Sequence, residues 1–283
     1  MTSETAPLLV ATDPDCDRVG VAVRNGSDYS LLSGNEVGML LLRYIAERRG
    51  ETHTMPFHPV VVKTIVTIDM ATRIAADYGI EVRDVLTGFK FIGEQIGLLE
   101  KQGEEDRYIL GFEESCGYLT GSYVRDKDAV DGVLMISDMF VYYRSKGFSL
   151  LDILDDIYSR YGYCLNTLHS YGFDGKQGFE KMRSIMDLFR NSTPVSFFGK
   201  KIVSVGDYLL GVVRTSDGKE LLTRLPPSDV LKFMLEDNIS FVVSPSGTEP
   251  KLKLYLSVSA PDKAQASSFE AKLISELEKL MGV

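Results

Sequence analysis

The segment Asp13-Pro14-Asp15-Cys16-Asp17-Arg18 constrains this chain more than any other. It follows the apolar run Leu8-Leu9-Val10-Ala11 and precedes Val19-Gly20-Val21-Ala22-Val23, so it reads as a tight turn between two strands. Carboxylates at alternate positions on such a turn can aim their oxygens at one point. Three negative charges that close together are costly unless a cation neutralises them. Hard oxygen ligands suit Mg²⁺, which makes Asp13, Asp15 and Asp17 candidate metal ligands. Arg18 stands at the rim, where its guanidinium can reach an anion held near the metal. A lone Asp-x-Asp would read as a solvated acidic turn, since Asp and Pro are ordinary turn residues. Three alternating Asp followed by Arg, framed by apolar strands, favour the metal.

With 283 residues the chain has room for about two domains, and 44% hydrophobic with 25% charged residues fits a soluble globular protein. A net charge of -9 argues against nucleic acid or an anionic membrane as partner, while leaving room for a local basic site that takes a small anion. Residues 1–7 show no basic region leading into an apolar core, so no signal peptide is expected, and no apolar run approaches a membrane span. The three cysteines, Cys16, Cys116 and Cys164, are odd in number and far apart, which predicts reduced thiols and a cytoplasmic location.

Along the chain, Asn25-Gly26 predicts a hairpin turn, after which Gly34-Asn35-Glu36 opens a helical run over 37–47 with Leu40, Leu41, Tyr44 and Ile45 on one face. A buried strand is expected over 60–66, then a helix capped by Asp69 and ended by Gly79, then a strand over 80–86. This alternation predicts an α/β unit with ligand loops at the carboxyl ends of its strands. Two such loops follow. In Thr87-Gly88-Phe89-Lys90-Phe91-Ile92-Gly93-Glu94, Gly88 permits close backbone approach and Lys90 offers a positive charge; the segment reads equally well as a turn with two core aromatics. In Gly111-Phe112-Glu113-Glu114-Ser115-Cys116-Gly117, expected after a strand over 107–110, Glu113 and Ser115 alternate and can bind neighbouring sugar hydroxyls. A charged turn at a strand end is the competing reading. Arg125-Asp126-Lys127-Asp128 then introduces a helix over 129–145, its bases either surface charges or phosphate ligands.

A helix over 150–157 leads into a stretch of different character. Strands are expected over 165–171, 201–205 and 209–214, and helices over 175–190, 227–236 and 262–281. That mix predicts an α+β domain with an antiparallel sheet and helices on one face. Here Ser244-Pro245-Ser246-Gly247-Thr248-Glu249-Pro250-Lys251 joins two strands. Its hydroxyls, glycine N–H and lysine make either a phosphate nest or a hairpin connection rich in turn formers. It is no Walker loop, because the glycine-lysine spacing and the following helix are absent.

In this order the segments TDPDCDRVGVAV, TGFKFIGE, GFEESCGYL, RDKDA and SPSGTEPK make the sequence resemble the α-D-phosphohexomutases, in the branch of phosphoglucomutases and phosphomannomutases. The resemblance runs from Leu8 to the last helix. It implies four-domain relatives, of which this chain would hold residues 1–30 as the end of a second domain with the metal loop. Residues 31–150 would form a sugar-binding α/β third domain with a mixed sheet. Residues 151–283 would form a linker helix and a phosphate-binding α+β fourth domain. It makes Asp13, Asp15 and Asp17 the Mg²⁺ ligands, sets Arg18 beside the reacting phosphate, and gives Glu113 and Ser115 the sugar hydroxyls. Thr87, Gly88 and Lys90 would line the sugar, Lys127 would be a proton-transfer group, and Ser246, Gly247 and Thr248 would grip the distal phosphate.

The implied reaction interconverts glucose 1-phosphate and glucose 6-phosphate with Mg²⁺ through glucose 1,6-bisphosphate, mannose and pentose phosphates being alternative substrates. Two departures stand out. Ser244 occupies a position where relatives usually carry Arg, so a bidentate phosphate contact is missing. The Ser-His-Asn context of the family's phosphorylated serine does not occur, and His53, His58 and His169 adjoin no matched motif. The sequence is therefore expected to be a fragment without the nucleophile domain, inactive alone. Two rivals remain open. A phosphatase of the haloacid dehalogenase type also places Asp-x-Asp after a strand, although the third Asp, Arg18 and the distant loops favour the mutase. A non-catalytic phosphosugar-binding module, serving as a sensor or partner subunit, would need no serine.

Overall fold

The structure, a computed structural model, describes residues 6–247 and 249–283. Thr248, one of the expected phosphate-loop residues, lies outside the described residues, as do residues 1–5. The chain divides into two compact units, Met1–Tyr161 and Gly162–Val283. Among the described residues no helix is long and apolar enough to cross a membrane.

The first unit opens with β1 (Leu8–Thr12), β2 (Val19–Asn25) and β3 (Asp28–Leu32), an antiparallel sheet in the order β1-β2-β3. The β2–β3 turn places Gly26 at φ 62°, as Asn-Gly turns require. On β2, Val19, Val21 and Val23 alternate inward and are each 1% exposed. Next come α1 (Gly34–Glu51), β4 (Val60–Thr64), α2 (Met70–Asp77), β5 (Glu81–Val85), α3 (Phe89–Glu100), β6 (Tyr108–Glu113), β7 (Gly117–Leu119), α4 (Ala129–Ser145) and α5 (Leu150–Tyr161). The second sheet runs β5-β4-β6-β7 and is mixed: β4 is parallel to both β5 and β6, and β7 is antiparallel to β6. All five residues of β4 are buried, the signature of a central parallel strand covered on both faces. Val60 and Val62 meet Phe89, Ile92, Ile96 and Leu99 of α3 in one core.

Helix α1 opens at Gly34, as the sequence suggests, behind a reciprocal capping box of Ser33 and Glu36, and it runs past residue 47 to Glu51. The strand expected over 60–66 ends at Thr64. Asp69 precedes α2 without a side-chain cap bond; its carboxylate takes the Lys63 ammonium at 3.3 Å instead. The division at Tyr161/Gly162 falls after α5, whereas the expected boundary falls before it, and the hairpin of residues 8–32 lies in the same unit as the mixed sheet.

Lys63 is fully buried on β4 and also meets Asp84 at 2.8 Å. Burial alone would pull its ammonium down, yet Asp84 and Asp69 outweigh that and hold it above its usual value. Lys63→Met is expected to cost about 2 kcal/mol of stability, since both carboxylates lose the Lys63 ammonium but remain within reach of water. A shift of the denaturant midpoint checks this, and an unchanged midpoint would show the cluster to be energetically neutral.

The second unit contains β8 (Tyr163–Gly172), α6 (Gly175–Asn191), β9 (Ser196–Phe197), β10 (Lys200–Asp207), β11 (Val212–Thr215), β12 (Glu220–Leu222), β13 (Leu231–Leu235), β14 (Ile239–Pro245), β15 (Lys251–Ala260) and α7 (Lys263–Met281). Its antiparallel sheet has the order β12-β11-β10-β13-β14-β15-β8, with β9 paired to β10. One core joins Met182, Ile185 and Phe189 of α6 and Leu273 and Leu277 of α7 to Phe233, Phe241 and Leu254 of the sheet. The α/β unit with its mixed sheet and the α+β unit are thus the two architectures expected.

The helix expected over 227–236 is a correction. Leu231–Leu235 is a strand between β10 and β14, with Leu231, Phe233 and Leu235 buried and Phe233 stacked on Phe241 at 4.6 Å. In the fold Asp229 takes Arg190 Nη2 at 2.7 Å, and pairing on both sides overrides the local helix signal.

Candidate functional site

The acidic turn joins β1 to β2, and one of its own carboxylates shapes it. Asp13 Oδ1 accepts the backbone N–H groups of Asp17 at 3.1 Å and Arg18 at 3.0 Å, while Cys16 N donates to Asp13 O at 3.0 Å. The turn closes through Cys16 in the left-handed region, at φ 58°. The Arg18 N–H, with that of Asp17, holds the Asp13 carboxyl below the usual carboxylate range against the opposing effect of burial. Asp13, Asp15 and Asp17 each offer an oxygen within 4.8 Å of the others. Asp17 Oδ1 is buried with no hydrogen-bond donor, its nearest ion-pair partner being Arg18 Nε at 3.8 Å. Three hard oxygen donors with a net negative charge, one of them buried and unsatisfied, fit a Mg²⁺ ion.

Two further loops are stitched to this turn by backbone bonds. Ala129 N, at the start of α4, donates to Cys16 O at 3.1 Å. Val19 N donates to Cys116 O at 3.0 Å, and Arg18 forms an antiparallel bridge with Gly117. The first bond brings in Lys127, whose Nζ meets Asp17 Oδ2 at 2.8 Å and Asp126 Oδ1 at 3.2 Å. Burial would pull the Lys127 ammonium down, but Asp17 and Asp126 prevail and raise it above its usual value. The lysine stem lies across Gly117, where an added Cβ would stand 2.4 Å from Lys127 Cδ, so a side chain there would displace the stem. Asp128 caps α4, its Oδ1 accepting Val130 N at 2.8 Å and Asp131 N at 3.2 Å. The bases of residues 125–128 therefore divide: Lys127 faces the acidic turn, and Arg125 pairs with Glu100 at 2.6 Å.

Strand β6 is longer than the sequence suggests and carries Glu113 as its last residue, buried at 5% exposure. Glu113 Oε1 accepts Gly88 N at 3.0 Å, and Gly88 holds φ 119°, a conformation that glycine alone adopts readily. Burial, then the neighbouring Glu114 charge, push the Glu113 carboxyl up, against Gly88 N–H, Lys127 and Arg18, which pull it down. Ser115 is exposed in the β6–β7 turn. Thr87 and Lys90 are also exposed, and Lys90 Nζ lies over the Phe91 ring at 4.9 Å. The segment of residues 87–94 is thus part loop and part helix, since α3 starts at Phe89 and that ring enters the core. Sequence reasoning missed Thr64, Thr67 and Glu114. Glu114 Oε2 accepts Thr67 Oγ1 at 3.1 Å and Thr64 Oγ1 at 3.4 Å. A threonine pair at a strand end was the available signal.

In the second unit, β14 and β15 pair antiparallel, with Ser244 opposite Lys253 and Pro245 opposite Leu252, and Ser246 and Gly247 follow the end of β14. Ser246 N donates to Lys251 O at 2.7 Å and Lys251 Nζ meets Glu249 at 3.2 Å; Ser246 is half-buried and Gly247 exposed. Among the histidines, His169 meets Glu270 at 2.8 Å in that unit.

Residues 33–161 match the family described as phosphoglucomutase/phosphomannomutase, alpha/beta/alpha domain III. A phosphoglucomutase of Staphylococcus saprophyticus is 37% identical over 277 residues, covering 96% of this chain and 49% of the relative. One from Staphylococcus aureus is 36% identical over 260 residues, covering 91% of this chain and 46% of the relative. The chain thus spans about half the length of the curated relatives it matches. Among solved structures, the exocytosis-sensitive phosphoprotein parafusin, a phosphoglucomutase of Paramecium in its open form, aligns with a TM-score of 0.67 at 17% identity, over 99% of this chain and 47% of that one. A phosphomannomutase-like protein of Thermus thermophilus aligns with a TM-score of 0.59 at 20% identity, over 99% and 47%. At those identities the two structures speak to the fold.

Proposed function

The chain belongs to the phosphoglucomutase/phosphomannomutase branch of the α-D-phosphohexomutases, and on that premise we propose that it supplies the metal and sugar-phosphate sites of a Mg²⁺-dependent mutase. The reaction would be the interconversion of glucose 1-phosphate and glucose 6-phosphate through glucose 1,6-bisphosphate. The name of the relatives, phosphoglucomutase, favours glucose over mannose or pentose. The observation that carries the reading is the backbone stitching that brings Lys127 and the loop of Glu113 and Ser115 to the acidic turn.

Each transfer breaks the P–O bond to the donor oxygen and forms one to the acceptor oxygen; the acceptor hydroxyl gives up a proton and the donor oxygen takes one up. Held by Asp13, Asp15 and Asp17, a Mg²⁺ ion would supply positive charge for the phosphoryl oxygens. Arg18, half-exposed and in contact with Asp13 at 3.4 Å, adds a guanidinium directed to the same anion. Lys127, kept protonated by Asp17 and Asp126, would act as the proton-transfer group by giving its proton to the departing donor oxygen and regaining one from the acceptor hydroxyl within the same transfer. Glu113 and Ser115 hold neighbouring sugar hydroxyls, with Thr87, Gly88 and Lys90 lining the sugar; a carboxylate that accepts from two hydroxyls serves both orientations of a turning intermediate. In the second unit, Ser246, Gly247 and Thr248 take the phosphate remote from the chemistry. No Ser-His-Asn occurs in the 283 residues, so in this reading the phosphorylated serine lies outside them. Cys16, Cys116 and Cys164 are free thiols, in keeping with a cytoplasmic enzyme.

Glu113→Ala tests the sugar role. Hexose-phosphate affinity is expected to fall by about 1.5–3 kcal/mol, the value of a hydrogen bond to a charged group, while inorganic phosphate binds nearly as before. Titration by NMR or calorimetry reads both ligands, and equal losses for the two would remove Glu113 from the sugar.

A further inference from the structure

We propose that Thr67 and Glu114 are positioning residues for the sugar-contacting pair Glu113 and Ser115, with buried Lys63 fixing the loop from which Thr67 acts. The inference rests on the sugar role assigned above and deepens it, because it names what sets the register of those contacts.

The loop of residues 65–69 between β4 and α2 is held from several sides. Lys63 Nζ donates to Thr67 O at 3.2 Å, and Ile68 N donates to the buried Asn35 Oδ1 at 3.1 Å. Ile65 N reaches Val85 O at 2.8 Å, and Thr67 N reaches Thr64 O at 3.0 Å. Thr67 is 2% exposed, so its hydroxyl has little freedom to leave the group it meets. That group is the Glu114 carboxylate at 3.1 Å, with Thr64 Oγ1 2.8 Å from Thr67 Oγ1 in the same cluster. Each hydroxyl carries one proton. With both hydroxyls in reach of the carboxylate, at 3.1 Å from Thr67 and 3.4 Å from Thr64, at least one donates to Glu114, and the shorter contact is that of Thr67.

Glu114 sits between the two proposed sugar contacts in sequence. Successive side chains at a strand end point to opposite sides, which sends Glu113 to Gly88 N and Glu114 to the threonines. The backbone of residues 114–116 is also pressed by Gly34 of α1, whose added Cβ would lie 2.3 Å from Glu114 O. The Glu114 anchor is charge-assisted and largely dry, so it fixes the turn more firmly than a neutral surface contact would. Releasing it lets Glu113 and Ser115 drift relative to the hydroxyls, and discrimination between sugar epimers depends on that placement.

The test compares the wild-type chain with Thr67→Val, which removes the hydroxyl at nearly constant shape, and Thr67→Ser, which retains it. NMR titrations use glucose 6-phosphate, its C2, C3 and C4 epimers (mannose, allose and galactose 6-phosphate) and inorganic phosphate. Thr67→Val is expected to reduce the preference for glucose 6-phosphate over the epimer that wild type rejects most by about tenfold, with phosphate affinity unchanged. Thr67→Ser should restore the preference. Amide exchange at residues 114–116 should quicken about tenfold in Thr67→Val alone. A folded Thr67→Val protein with the wild-type preference and wild-type exchange would overturn the proposal. Wild type that binds no sugar phosphate, or all epimers alike, would instead overturn the sugar role of Glu113 and Ser115, while exchange would still decide the anchor. Should Thr67→Val fail to fold, Glu114→Gln, which keeps the shape and drops the charge, is expected to lower the preference about threefold, and no change there would also overturn it.

Discussion

Asp17→Asn is expected to weaken divalent-cation binding by roughly 100-fold, measured with Mn²⁺ as a paramagnetic probe. The acidic turn offers three carboxylate oxygens within 4.8 Å of one another, and charge more than shape makes such a cage attract a cation. Asp17 contributes Oδ1, the buried oxygen without a hydrogen-bond donor, so the amide replacement removes a negative charge where nothing else satisfies the ligand atom. It also deprives Lys127 of its 2.8 Å partner and frees that ammonium to approach the remaining carboxylates, which opposes the cation further. Asp28→Asn, an exposed carboxylate on β3 outside the cluster, is the control and should bind Mn²⁺ like the wild type. Equal affinities for Asp17→Asn and wild type, with the fold intact, would sink the metal assignment. Asp13→Asn is a different experiment, because an asparagine oxygen can still accept the Asp17 and Arg18 amides that close the turn. It should lower affinity while leaving the loop folded.

Gly34→Ala is expected to cost about 3 kcal/mol of stability and to lower sugar-phosphate binding as well. The first residue of α1 faces the turn of residues 114–116 so closely that an added Cβ would stand 2.3 Å from Glu114 O and 2.6 Å from Cys116 N. Both are backbone atoms, which do not swing aside as the tip of a flexible side chain does. The helix start is itself pinned by the Ser33–Glu36 capping box, so α1 cannot yield without breaking a cap. Strain therefore passes to the loop that carries Glu113 and Ser115. Denaturant melts and titration with glucose 6-phosphate report the two effects. A variant with unchanged stability would show that the helix start and the β6–β7 turn can separate at little cost.

The parts of this protein that could be read from its sequence are those whose information lies within a few residues. The spacing of Asp13, Asp15 and Asp17 is a property of one turn, and the structure brings their oxygens together because the turn is closed by bonds between residues four and five apart. The central strand at Val60–Thr64 is visible as an unbroken apolar run, since a parallel strand covered on both faces has no polar side to show. The helices at Gly175–Asn191 and Lys263–Met281 follow their apolar periodicity for the same local reason.

Tertiary structure decided what depends on a partner far along the chain. The sequence predicts a helix over residues 227–236, and pairing with β10 and β14 makes Leu231–Leu235 a strand. Strand β6 extends to Glu113 because β7 supplies the opposite hydrogen bonds, as Glu113 pairs with Gly117. The joining of the acidic turn to Lys127 and to the loop of Glu113 rests on Arg18–Gly117, Cys116–Val19 and Cys16–Ala129 contacts that span about a hundred residues or more. By itself the sequence determined which side chains can bind a cation, a phosphate or a sugar hydroxyl, because those capacities belong to single residues and their near neighbours. Which of them meet was decided by burial and backbone pairing, since an N–H or carboxylate removed from water must find its partner wherever the fold brings one.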